Sequence, residues 1–323
     1  MYPLKFEPIL KTKVWGGSRI PAYKGVHTLL EKIGESWELS AVPGDESVVS
    51  NGDLAGRNIT ELVCEFKDAL LGKRVYDKYG DSFPLLVKFI DADDDLSVQV
   101  HPDDAMALKV HKEPFGKTEM WYVVDAGKDA HLMSGLSTRI TPEEYVSRVG
   151  DNTITDVLCD YMVSLGDVFF LPAGRIHSIG KGCLIAEIQQ TSDLTYRIYD
   201  FGRLGLDGKP RELHTELAKD AIDYAVSENY RTEYDSIPNE DTPLVECEYF
   251  KTHLFDLTVP VSVDVKSKDS FLIVICLEGK GKLIDLEGNG VSLKQGETVL
   301  VPASVDNVTF VPSAGLKLLA CRV

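Results

Sequence analysis

Short apolar runs bounded by Gly, Pro, Asp and Asn recur along the chain: FPLLVKFI (83–90), EMWYVV (119–124), DVFFLPA (167–173), CLIAEIQQ (183–190), FLIVICL (271–277) and ETVLVPA (297–303). Runs of this length, closed by turn formers, read as strands. Their spacing, with Gly-rich connections such as EGKGK and DLEGNG, fits an antiparallel sandwich or barrel better than alternating β-α-β units. Helical periodicity is found in three places. In ITELVCEFKDALLG, Ile59, Leu62, Val63, Phe66, Ala69 and Leu70 share a face. At TPEEY, Thr141 can cap, Pro142 suits the first helical position and Glu144 completes a capping box. In RELHTELAKDAIDYAV, Leu213, Leu217, Ala221, Ile222 and Ala225 face one way, and this helix is placed to bridge two β-domains.

Above this local pattern lies an internal repeat. GDVFFLPAGRIH at 166–177 matches GETVLVPASVDN at 296–307, a constant offset of 130 residues. In each copy Gly and an acidic residue precede four strand residues and Pro-Ala. EMWYVVDAG (119–127) can likewise be laid beside FLIVICLEG (271–279), again ending at a glycine turn. Two tandem β-barrels is the economical reading: a mainly β chain with a first barrel and its N-terminal strands and helices over 1–209, a helical connector over 210–239, and a second barrel over 240–323. The copies differ where chemistry would sit, since His177 corresponds to Asn307 and Glu119 to about Phe271. The first barrel is therefore expected to be catalytic and the second metal-free and structural.

Composition narrows the function. A chain of 323 residues, 44% hydrophobic and 26% charged, can bury two sizeable cores and is not expected to be disordered. A formal net charge of −17 repels nucleic acid and anionic lipid, so neither is an expected partner, and an anionic substrate must meet a local cationic pocket. The N-terminal MYPLKFEPILKTKVWGG lacks the apolar core and cleavage site of a signal peptide, and no 18-residue apolar run occurs, so a cytoplasmic protein is expected. The six cysteines form no C-x-x-C pair, which argues against a disulfide framework or a Cys-based zinc site. The run DADDD at 91–95 reads as a solvated turn, and Trp15, Trp37 and Trp121 as core or pocket-wall aromatics. No nucleotide fingerprint is present, because EGKGKLIDLEGNG lacks the strand, turn and helix context.

One constellation carries metal chemistry. In SVQVHPDD, Gln99 and His101 are two apart on an expected strand, so their side chains share a face. Glu119 opens the next strand signal, and His177 follows the strand that ends at Pro172 and Ala173. These residues converge only if the sheet closes. Two imidazoles, a carboxylate and an amide oxygen suit Zn²⁺, and Fe²⁺ or Mn²⁺ satisfy the same ligand types. His27, His111, His131, His214 and His253 share no such pattern and read as non-ligands. Lys88 stands inside FPLLVKFI, where an unpaired charge would be costly, which marks it as functional.

These residues resemble the cupin superfamily, whose second motif, G-D-x-x-x-x-P-x-G-x-x-H, is matched from Gly166 through Asp167, Pro172 and Gly174 to His177. In the first motif Gln99 replaces the leading His, and the gap from Glu119 to Gly127 is one residue longer than usual. That departure, together with VWGG (14–17), GESWELS (34–40), FPLLVKFID (83–91), SVQVHPDD (97–104), GKTEMWYV (116–123), LPAGRIH (171–177) and QQTSDLTYRIYDFGR (189–203), resembles the type I mannose-6-phosphate isomerases in their short bacterial form. The resemblance implies a single Zn²⁺ on His101, Glu119 and His177, with Gln99 a weaker fourth ligand. It also implies substrate-site positions at Lys88, Ser97, Lys117, Arg197 and Arg203, with Arg197 catalytic. The implied reaction interconverts mannose 6-phosphate and fructose 6-phosphate through a cis-enediolate.

A guanidinium stays protonated in proteins, so Arg197 is better suited to stabilising charge, and Lys88 or Lys117 to carrying the proton. Arg203 and Ser97 are the candidates for the phosphate. Three other readings use the same ligand set: an Fe²⁺ oxygenase, an isomerase of another sugar phosphate, and a sugar-binding bicupin without turnover. Gln99, Lys88 and Lys117 favour a sugar-phosphate site over an apolar oxygen-activating one. Oligomeric state is left open.

Overall fold

The computed structural model describes all 323 residues, and each of the six expected apolar runs contains a strand. The strands gather into three antiparallel sheets. Two of them face each other in the first domain. A seven-stranded sheet runs in the order 231–232, 168–171, 119–126, 183–190, 85–91, 33–39, 9–17, and a five-stranded sheet in the order 196–199, 98–100, 177–179, 131–136, 158–162. Trp15, Ile90, Trp121, Val123, Phe169 and Ile185 fill the space between them. The outer face of the five-stranded sheet is covered by the helices Pro142–Gly150 and Thr215–Ala221, through Tyr145, Val149 and Ala218 packed with Val98 and Val100.

The second domain is one eight-stranded sheet that bends around its own core. Two long strands, Leu272–Asp285 and Asn307–Arg322, make the bend. They pair along most of their length, and the register shifts between Cys276 and Glu278 and again between Gly279 and Gly281. Such irregularities let a strand serve both layers of a sandwich. Alternation along the first of these strands then divides its side chains: Leu272, Val274 and Cys276 enter the domain's own core, while Phe271, Ile273, Ile275 and Leu277 face the first domain. There they meet Met120, Tyr122 and Val124, and the ring centroids of Phe83 and Phe271 lie 4.9 Å apart. The N-terminal strand Leu4–Lys5 crosses over to pair with Val299 and Leu300, so the first residues of the chain complete the second domain's sheet.

Strand register refines the repeat. Glu119 lies opposite Leu171, and Leu272 lies opposite Val301, the residue 130 positions beyond Leu171. The counterpart of Glu119 is thus Leu272, one position past Phe271. Asn307 opens its strand as His177 does, but it alternates with the core residues Val308 and Phe310, so Val308, opposite Val263, is the inward-facing neighbour. The interior of the second domain is apolar where the first carries ligand-type residues.

The helices depart from the expected lengths. The run from Ile59 forms Ile59–Phe66, capped by Asn58 Oδ1 accepting from Glu61 N at 2.9 Å, and then Asp68–Leu71; the break falls at Lys67, whose φ is 48°. Thr141 caps its helix by accepting from Glu144 N at 3.2 Å, but the Glu144 carboxylate turns to Arg148, so the capping box closes on one side only. The connector carries the short helix Thr215–Ala221 and also Arg231–Thr232, which adds a strand to the first domain. DADDD is not a solvated turn throughout. Asp91 is fully buried and accepts from the backbone N and the Nε of Arg19, both at 2.7 Å. All six cysteines are free, and no helix is long and apolar enough to cross a membrane.

Candidate active site and metal centre

The inner faces of the two first-domain sheets bring the ligand-type residues together. Glu119 opens its strand on the same face as Trp121 and Val123, and His177 opens its strand directly opposite Gln99. His101 follows Val98–Val100 after one more pleat. The ligand atoms of His101, Glu119 and His177 lie within 4.8 Å of one another, with Nε2 of His101 3.6 Å from Glu119 Oε2 and Nε2 of His177 3.4 Å from Glu119 Oε1. All three are buried. Each imidazole donates its Nδ1–H to a backbone carbonyl at 2.8 Å, Leu194 O for His101 and Arg175 O for His177. Those bonds fix the tautomer and leave both Nε2 lone pairs facing Glu119. The Gln99 amide lies 3.4 Å from His177 Nε2, on the same side.

Nε2 of His101 and Oε1 of Glu119 are buried without hydrogen-bond partners, and Glu119 Oε2 meets only Lys117 Nζ, at 3.1 Å. Orphaned polar atoms of that kind cost free energy, and one shared cation would satisfy both. Burial drives the imidazoles neutral, with His177 down to about 3 and His101 well below its ordinary value, where Lys117 adds to the effect. Burial and the charge of Glu187 push Glu119 up to about 7 against the pull of Lys117, whose Nζ lies 3.1 Å from Glu119 Oε2. Two neutral nitrogens and a carboxylate form a donor set suited to Zn²⁺.

Beside this centre opens a cavity of about 280 Å³. Lys88, singled out by its place in an apolar run, lies on its wall with Nζ 3.4 Å from Glu187 Oε1 and 4.9 Å from the centre of the Trp37 ring. Register explains the contact, since Glu187 sits across from Lys88 on one side and from Trp121 on the other. Trp121 Nε1 donates to Glu187 Oε2 at 2.9 Å. Glu35 accepts from Trp37 Nε1 at 2.7 Å and pairs with Lys13 at 3.1 Å. Although burial works the other way, Lys88 and Lys13 hold its carboxyl at about 2. Burial also opposes the charge on Lys117, yet Glu119 and Glu187 keep it protonated above the usual lysine range. The protein's own carboxylates thus hold the proton on Lys117.

Ser97, Gln99, Lys88, Lys117 and Arg197 all reach the cavity wall. Arg203 does not; its Nε donates to Asp200 Oδ1 at 2.9 Å, and its Nη1 lies 3.4 Å from Asp94 Oδ2. Arg211 lines the cavity instead, with Lys13, Glu35, Glu187, Asp193 and His214, none of which was singled out as a site residue from the sequence. Glu187 had a signal: it is an acid inside the apolar run CLIAEIQQ, as Lys88 is a base inside FPLLVKFI. None of the other five histidines joins the metal-type cluster, though His214 lies on the wall and accepts from Arg197 N at 3.1 Å.

Residues 4–125 match the family model described as phosphomannose isomerase type I, catalytic domain, and residues 240–316 the one described as mannose-6-phosphate isomerase, cupin domain. The chain is 37% identical over 304 residues to mannose-6-phosphate isomerase ManA of Bacillus subtilis, covering 93% of each protein. It is 35% identical over 310 residues to mannose-6-phosphate isomerase of Streptococcus mutans, covering 95% of each. The crystal structure of the mannose 6-phosphate isomerase from Bacillus subtilis superposes with a TM-score of 0.89 at 31% identity, over 100% of both chains. With the fold, the two domain matches and relatives this similar over nearly their whole length, the protein belongs to the type I mannose-6-phosphate isomerase family of enzymes, with a cupin architecture.

Proposed function

We propose that the protein interconverts mannose 6-phosphate and fructose 6-phosphate with one Zn²⁺ per chain, held by His101, Glu119 and His177 with Gln99 beside them. The observation that carries the metal is the buried trio whose ligand atoms converge within 4.8 Å, with His101 Nε2 and Glu119 Oε1 left without a hydrogen-bond partner. Zinc is preferred because the donors are nitrogen and oxygen and because the reaction exchanges no electrons with the enzyme. When bound, the ion would supply Lewis acidity for the sugar carbonyl and for the oxygens of a cis-enediolate.

The remaining work falls to the side chains on the cavity wall. Opening of the ring exposes the C1 aldehyde; removal of the C2 proton and its return at C1, with the O2 hydroxyl proton passing to O1, completes the change from aldose to ketose. Lys88 and Lys117 are the proton carriers in this reading, and both are buried, so bulk water competes poorly for the proton. Lys88 has Glu187 within reach to relay through. Arg197, fixed by Nη1 donating to Glu212 O at 3.0 Å, keeps its proton and stabilises the negative charge of the enediolate. Ser97 adds a hydroxyl on the face shared with Gln99. A cation-rich wall in a chain of net charge −17 supports a phosphorylated rather than a neutral sugar.

Incubation with mannose 6-phosphate in D₂O, followed by NMR, tests this reading. The expected product is fructose 6-phosphate that acquires deuterium at C1 over many turnovers. Absence of product would remove the substrate assignment, and product that never gains deuterium would replace proton transfer by a hydride shift.

A further inference from the structure

The cavity wall carries five cations and three carboxylates. Each lysine has a carboxylate within or at the base of the cavity: Lys13 with Glu35, Lys88 with Glu187, Lys117 with Glu119. The two arginines do not. Arg197 meets only the carbonyl of Glu212, and its Nε is buried without a partner. The counter-charge of Arg211 is Asp200, which lies off the cavity wall. Neither guanidinium pairs with a carboxylate on the cavity wall, where Asp193 acts on Lys117, and with the Nε and Nη2 edge of Arg211 held by Asp200 its Nη1 end stays available to a phosphate dianion.

A local fold brings Arg211 to this place. The strand Tyr196–Tyr199 ends in the turn 200–203, in which Phe201 and Gly202 have φ of 55° and 69° and Arg203 N donates to Asp200 O at 3.2 Å. Two consecutive residues at positive φ make a primed hairpin turn. The chain turns again at 205–208 and returns along the strand, where His214 N donates to Arg197 O at 2.7 Å. That return lays Arg211 across Asp200, which is buried. Asp200 Oδ2 accepts from Arg211 Nε at 2.7 Å, and Oδ1 accepts from Arg211 Nη2 and, at 2.9 Å, from Arg203 Nε. Arg203 is held from its far side by Asp94.

We propose that Arg211 binds the phosphate of the substrate, leaving Arg197 to the reacting carbons, and that Asp200 is the positioning residue that holds Arg211 over the cavity, with Arg203 its brace rather than a substrate contact. This rests on the sugar-phosphate reading of the pocket. A phosphate lies remote from C1 and C2, so its contacts act alike on bound substrate and transition state and are read in KM more than in kcat.

Calorimetric titration with glucitol 6-phosphate, which has no carbonyl to isomerise, tests the clamp without turnover. Arg211→Ala is expected to weaken its binding by about 10- to 100-fold, the range for losing a charged hydrogen-bonded partner, with KM for mannose 6-phosphate rising in parallel and kcat falling far less. Arg211→Lys should retain part of the affinity. Asp200→Asn should weaken binding in the same direction and Asp200→Glu should recover it, at unchanged metal content, which a merely structural role for Asp200 would not produce. Binding by Arg211→Ala within about twofold of the unaltered protein, or a larger loss in Arg203→Ala than in Arg211→Ala, would overturn the proposal. If the unaltered protein binds glucitol 6-phosphate through Arg211 yet leaves mannose 6-phosphate unchanged, the clamp stands and the isomerase reading falls. Intact turnover with glucitol 6-phosphate binding indifferent to Arg211 would instead overturn the clamp and leave the isomerase reading in place.

Discussion

In the proposed metal site a proton and a metal ion would compete for the Glu119 carboxylate. This carboxyl is raised from the ordinary range to about 7, so the folded chain without metal binds a proton that the unfolded chain has already released. That proton contributes stability below the unfolded value and the contribution is lost as pH rises through about 7. His101 and His177 are shifted the other way and are neutral across this range, so they need lose nothing on binding metal. Zinc titrations in buffers of different ionisation enthalpy should therefore release about one proton at pH 6 and markedly less at pH 8, with affinity rising over that interval. Release of two or more protons at pH 6 would mean that the imidazoles start charged. The convergence of His101, Glu119 and His177 was legible in the sequence because motif spacing and strand parity agree on them. Arg211 was not, since two turns separate it from the strand it packs on, and spacing carries no information about where such a hairpin returns.

Among the elements, strands were read more faithfully than helices. A strand's alternation survives in the sequence even when, as in Leu272–Asp285, the partner changes partway along. The expected helix from Ile59 obeys a single period, yet Lys67 at φ 48° divides it, an effect of packing that periodicity does not register. The VWGG segment has its own local reason. A Cβ on Gly17 would stand 2.3 Å from Asp91 Oδ2, and that carboxylate is buried and held by Arg19. Gly17→Ala should cost about 1–3 kcal/mol, the range for overpacking, and lower the urea midpoint without changing the slope. A midpoint equal to that of the unaltered protein would show that Asp91 can move aside freely.

Across the whole molecule, the repeat was legible and its asymmetry more so than its detail. The offset of 130 residues identified two copies, but only cross-strand register shows that Leu272 occupies the place of Glu119, and only burial shows Val308 rather than Asn307 facing inward. The second domain has an apolar interior and shares a core of 35 buried residues with the first. The N-terminal strand paired into the second domain's sheet joins the copies further. The ligand-type residues and the cation-lined cavity are both placed in the first domain, where the proposed metal site adjoins the cavity. The most direct measurement is turnover of mannose 6-phosphate against metal content, for the unaltered protein after chelation and after restoration of Zn²⁺, and for His177→Ala. The expected result is about one zinc per active chain, activity lost on chelation and recovered with zinc, and loss of both metal and activity in His177→Ala. Full turnover by metal-free protein, or full zinc occupancy in His177→Ala, would contradict it.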